Sequence, residues 1–80
     1  MTTLRKIDKR LEQYKGLWVV EWNEDQKAFH YERAYSQLRD SVRGYLSKKG
    51  RGSWVTLGVF NTSKECCEYI EELTSARPED

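Results

Sequence analysis

Eighty residues, 34% of them charged and 38% apolar, fit one domain with a small core, and three Trp, five Tyr and two Phe supply much of its apolar area. No apolar run is long enough to span a bilayer and no apolar leader precedes a cleavage site, so a cytoplasmic protein is expected. The two cysteines, Cys66 and Cys67, are adjacent, which excludes a disulfide framework.

The net charge of +1 hides a segregation. Residues 1–16 carry five basic and two acidic side chains, and residues 17–34 carry two and four. Residues 35–52 carry five and one, and residues 53–80 carry two and six. A nucleic-acid binder usually shows a clear basic excess. Here any basic patch shares a small body with an acidic one.

Residues 3–15 place Leu4, Ile7, Leu11 and Tyr14 on one helical face, with Thr3 suited to cap the start and Gly16 to a left-handed residue after the end. Arg5, Lys6, Lys9 and Arg10 form the polar face, read as a solvated one. GLWVVEW, residues 16–22, is rich in β-branched and aromatic residues and predicts a strand. A four-residue turn over 23–26 then returns the chain along residues 27–33. That register pairs Trp22 with Lys27, Val20 with Phe29 and Trp18 with Tyr31, all on a dry face. The wetter face receives Leu17, Val19, Glu21, Ala28, His30 and Glu32.

Residues 34–48 carry Tyr35, Leu38, Val42, Tyr45 and Leu46 on one helical stripe, interrupted by Gly44, which costs about 1 kcal/mol relative to Ala. After the loop YLSKKGRGSW, residues 53–60 predict a third strand. Val55, Leu57 and Val59 are expected on one side, with Trp54, Thr56 and Phe60 on the other. Thr62 and Glu65 have the spacing of a capping box for a last helix with Cys66, Ile70 and Leu73 on its apolar stripe. Residues 76–80 are expected to fray. The order α-β-β-α-β-α predicts a single α+β domain over residues 1–80, with a small, mainly antiparallel three-stranded sheet packed with three helices. The third strand is expected beside the first.

No catalytic constellation emerges. His30 is the only histidine, and no Ser, Cys or carboxylate is spaced to work with it. KGRG lacks the strand-then-helix context of a phosphate-binding loop. Two adjacent thiols do not complete a zinc site. They read as structural, with a reactive Cys67 as the lesser alternative. Neither enzyme activity, a cofactor nor a metal is expected.

WVTLGVFNTSKECCEYI, residues 54–70, resembles the last strand and following helix of the plant ethylene-response-type DNA-binding domain and of integrase arm-binding domains. Those families share an LGxFxTxxEA-like strand–turn–helix. The resemblance implies DNA reading by basic and aromatic residues on a three-stranded sheet. This chain departs from that pattern: its wetter hairpin face offers Glu21, His30 and Glu32, and a long helix precedes the third strand.

The excess of apolar and aromatic surface over so small a sheet points to a non-enzymatic module that binds another protein or a second copy of itself. Leu17, Val19, His30, Trp54 and Phe60 are the candidate contact residues. Small, highly charged chains of this kind are also common among phage- and mobile-element-encoded inhibitors and accessory proteins. The alternative is a nucleic-acid-binding module that uses Arg39, Arg43, Lys48, Lys49 and Arg51, with Trp54 as a stacking surface. Helix-end lysines followed by turning glycines explain the same loop without a ligand.

Overall fold

The computed structural model describes residues 3–77. Helix α1 spans Thr3–Leu11 and tightens into a 3-10 turn over Glu12–Tyr14. Strand β1 spans Trp18–Asn23, β2 Ala28–Arg33, helix α2 Ala34–Leu46, strand β3 Trp54–Phe60 and helix α3 Ser63–Ser75. The sheet is antiparallel throughout, in the order β2-β1-β3. The expected α+β order and the placement of the third strand beside the first are both observed. Among the described residues no helix is long and apolar enough to cross a membrane.

Helix α3 packs on the face that carries Val20, which is fully buried. Register and alternation place Trp18, Trp22, Phe29, Tyr31, Val55, Gly58 and Phe60 on that face as well. The Phe60 and Tyr69 rings meet at 4.7 Å, the Trp22 and Phe29 rings at 4.7 Å, and Cys66 of α3 is fully buried. Burial pushes the Cys66 thiol up, which keeps it protonated and inert, whereas Cys67 is exposed. Helix α2 lies against the other face, and α1 packs on α2.

The hairpin keeps the expected faces but not the expected register. Asn23 pairs with Ala28, Trp22 with Phe29, Val20 with Tyr31 and Trp18 with Arg33, so the turn holds residues 24–27. The reason is local. The Asn23 side-chain Oδ1 accepts the Gln26 N–H at 2.8 Å, and Lys27 takes a left-handed φ of 54° that closes the turn. Asn23 therefore belongs to the strand and organises the turn from its end.

Strand β3 does not alternate as expected. Val20 pairs with Gly58 but Glu21 with Thr56, which leaves Leu57 as a bulge. The bulge sends Trp54, Thr56 and Val59 to the α1/α2 face and Val55, Gly58 and Phe60 to the α3 face. Trp54 and Phe60 are thus on opposite sides of the sheet. The Tyr69 hydroxyl donates to the Leu57 carbonyl at 2.8 Å and fixes the irregularity. Gly58 is needed beneath it, because a Cβ there would lie 2.9 Å from the Phe60 ring and 3.0 Å from the Tyr69 ring.

The helix ends also correct the sequence reading. Helix α1 includes Thr3, so its capping position lies outside the described residues. Gly16 is not left-handed. Helix α2 ends in a Schellman arrangement: Lys48 N–H donates to the Tyr45 carbonyl at 3.1 Å and Lys49 N–H to the Gly44 carbonyl at 3.1 Å, with Lys48 left-handed at φ 63°. The returning loop brings Gly50 so close that a Cβ on Gly44 would lie 2.6 Å from its carbonyl oxygen. The glycine inside the helix is the room that this loop requires. The last turn of α2 leaves Tyr45 79% and Leu46 53% exposed, so these two do not extend the buried stripe. Thr62 caps α3 as expected, its Oγ1 accepting the Glu65 N–H at 3.1 Å. Of the tail expected to fray, Ala76 and Arg77 lie beyond the last helix, and residues 78–80 lie outside the described residues.

Candidate functional site

The sheet face under α1 and α2 holds two features in line. At one end is an open apolar groove of about 500 Å³, walled by Leu11 and Tyr14 from α1 and its 3-10 turn and by Ala34 and Leu38 from α2. Its floor is Leu17, Val19 and Val59, with Gln37 and Thr56 at the polar end. Val59 is 54% exposed within it. At the other end is a charged cluster built on Glu21, His30, Glu32 and Arg51. Gln37 joins the two: it is buried, lines the groove, and donates from Nε2 to Thr56 Oγ1 at 3.1 Å, while Thr56 is the strand partner of Glu21.

Glu21 lies in the middle of the central strand and is fully buried. The expected wetter face is therefore covered at this point. Arg51 reaches in from the loop before β3 and donates from Nη1 to Glu21 Oε2 at 2.5 Å, with Nη2 3.6 Å from Glu32 Oε1. A buried carboxylate needs such a partner, because desolvation of an unpaired charge costs several kcal/mol. Two carboxylates share one guanidinium here. Burial, then the close approach of Glu21, push the Glu32 carboxyl up to about 7, against the opposing pull of Arg51. His30 is the strand partner of Glu21, is exposed, and meets the Trp54 ring at 5.5 Å.

The five candidate protein-contact residues are divided. Leu17 and Val19 line the groove. His30 and Trp54 lie together at the opposite end of the same face. Phe60 is on the far side of the sheet against Tyr69. The bulge at Leu57 is what separates it from the other four.

The five candidate nucleic-acid residues are divided too. Arg43 donates from Nη2 to Asp8 Oδ2 at 2.9 Å and from Nη1 to Oδ1 at 3.3 Å, and Arg39 Nε lies 4.0 Å from the same carboxylate. The hydrogen bond from Arg43 holds the Asp8 carboxyl below its usual range. Arg51 is turned inward, its side chain 18% exposed. Lys48 and Lys49 remain exposed, at the capping turn of α2.

Sequence reasoning missed Leu11, Tyr14, Leu38 and Val59 as parts of one groove, and Glu21 and Glu32 as parts of one cluster. A signal did exist for Glu21: an acid in the middle of the run WVVEW is costly unless something pairs with it. The partner, thirty residues away in a loop, carries no spacing that reveals it.

No protein-family model matches the chain, and no curated protein or solved structure matches it. The resemblance of residues 54–70 to DNA-reading domains thus gains nothing beyond its own residues.

Proposed function

We propose that this protein is a non-enzymatic binding module that takes an apolar segment of another protein into the groove between α1, α2 and the β1–β3 half of the sheet. The observation that carries the reading is the groove itself: about 500 Å³ of space walled by aliphatic and aromatic side chains, with Val59 half exposed on its floor. Apolar surface in a concavity is what a binding partner can dehydrate for gain. Helix α1 and its 3-10 turn carry Arg5, Lys6, Lys9 and Arg10 against Asp8 and Glu12. This basic excess favours a partner segment whose apolar anchors are flanked by acidic residues.

The nucleic-acid reading loses support from the hydrogen-bonded pairing of Arg43 with Asp8 and of Arg51 with Glu21. Breaking these pairs to bind phosphate would leave carboxylates behind, one of them buried.

The experiment places a photo-crosslinking amino acid at position 59 and, as a control, at the exposed Glu71 of α3. A discrete protein captured from position 59 alone, then bound by the purified wild type with micromolar or tighter Kd and at least tenfold more weakly by Val59→Asp of unchanged melting midpoint, supports the reading. Assay of that partner in the same titration shows whether binding inhibits it. Capture of a second copy identifies a homodimer through the same groove. Equal capture from both positions, or salt-sensitive retention of nucleic acid in its place, overturns the groove as the binding surface.

A further inference from the structure

We propose that Glu21, His30 and Glu32 form a binding site for one divalent transition-metal ion, with zinc the preferred ion. This goes beyond the protein-binding reading and does not depend on it. The first observation is geometric. Glu21 and His30 are direct cross-strand partners, and Glu32 follows two residues later on the same strand, so all three side chains leave the same sheet face. A carboxylate oxygen of each Glu and a ring nitrogen of His30 lie within 4.8 Å of one another. Ligands around a tetrahedral ion with bonds of about 2.0–2.2 Å are roughly 3.4 Å apart, so a modest contraction suffices. His30 is exposed and Glu32 partly so, and both are on the edge strand β2. They can move by rotamer change without disturbing β1.

The second observation points to a ligand. The Glu21 side chain is 1% exposed, Arg51 takes its Oε2, and its Oε1 has no hydrogen-bond partner among the described residues. A buried acceptor left in that state is costly, and native proteins rarely leave one so. The charge count agrees: once Glu32 is ionised, two carboxylates face one guanidinium, which leaves an excess negative charge in a largely enclosed place. A cation on the side away from Arg51 would satisfy both. The donor set, two carboxylate oxygens and one imidazole nitrogen, suits zinc among the first-row divalent ions and leaves a fourth position for water or an incoming group. Arg51 stays outside the coordination shell and orients the carboxylates, as second-shell partners do.

A proton shared by Glu21 and Glu32 would also satisfy Oε1. It makes no use of His30, and this separates the two explanations. The tag-free, metal-stripped protein is titrated with zinc and with cobalt(II). The expected result is one equivalent bound with micromolar or tighter Kd, a rise in melting midpoint with zinc, and a shift of the His30 ring nitrogen resonances. His30→Ala, at an exposed position, should keep the fold and weaken binding at least tenfold, with Glu32→Gln doing the same. Cys67→Ser should bind as the wild type does, and the cobalt complex should lack thiolate charge-transfer absorption. Absence of binding up to millimolar zinc, equal binding by His30→Ala, or a thiolate band lost in Cys67→Ser would each overturn the site.

Discussion

Arg51 and its neighbours Lys48 and Lys49 belong to one basic loop, yet they have different tasks. Lys48 and Lys49 are exposed, and their replacement by Gln should change stability by no more than about 0.5 kcal/mol. Arg51→Gln should cost about 3–5 kcal/mol, because it strands the buried Glu21 carboxylate. Urea unfolding of the double and single variants checks both values. From the sequence the loop reads as helix-end lysines followed by turning glycines, which accounts for Lys48 and Lys49 but not for Arg51, the partner of a buried carboxylate. Glu32 adds a pH dependence. Its carboxyl titrates at about 7 when folded and near its ordinary value of 4.5 when unfolded, so the folded state binds more protons between the two. Stability therefore falls as pH rises from about 4.5 to about 7, by on the order of 3 kcal/mol at most, and then levels. Glu21, Arg51, His30 and Asp40 are the charged or titratable groups around it. In chelator-treated buffer, Glu32→Gln should flatten this limb; an identical slope in the variant would assign it to another group.

At the scale of elements, the ends of the helices carry the clearest tests. Gly44→Ala improves intrinsic helix propensity by about 1 kcal/mol but drives a Cβ into the Gly50 carbonyl, and the net result should be destabilising by about 1–3 kcal/mol. Lys48→Gly relieves a left-handed residue and should stabilise by about 1 kcal/mol. Thr62→Ala removes the cap of α3 and should cost about 0.5–2 kcal/mol. Thermal melts of the three variants read these signs directly. The Thr62 cap, the grouping of hairpin residues by face and the order of elements were legible because each rests on neighbours in the chain. The contrast of a dry and a wetter face was not, since Val19 and Glu21 on the one are buried and Tyr31 on the other is 38% exposed. The Leu57 bulge was not, since it depends on Tyr69 docking from the next helix. The groove was not either. Leu11, Tyr14 and Leu38 read as parts of helical stripes, and only the packing of two helices on one sheet face leaves a gap between them.

The whole molecule is long and thin, 49 × 26 × 17 Å, and its buried apolar residues among those described are Val19, Val20, Ala34 and Cys66. A core this small leaves a thin stability margin. Strand β1 lies at its centre, paired on one side with β2 across a short turn and on the other with β3, where Trp18 meets Phe60. The two pairings differ in what they require of the unfolded chain. The hairpin closes a few residues, an event of microseconds, whereas β3 must return past the whole of α2. Central position in space thus becomes early position in time: β1 joins β2 first and waits for β3. Asn23→Ala, which weakens the turn, should slow refolding with little change in unfolding rate. Tyr69→Phe, which frees the Leu57 carbonyl, should speed unfolding and leave refolding nearly unchanged. Stopped-flow chevrons of the two variants show whether the order holds, and the reverse pattern would mean that the last strand and helix assemble before the hairpin.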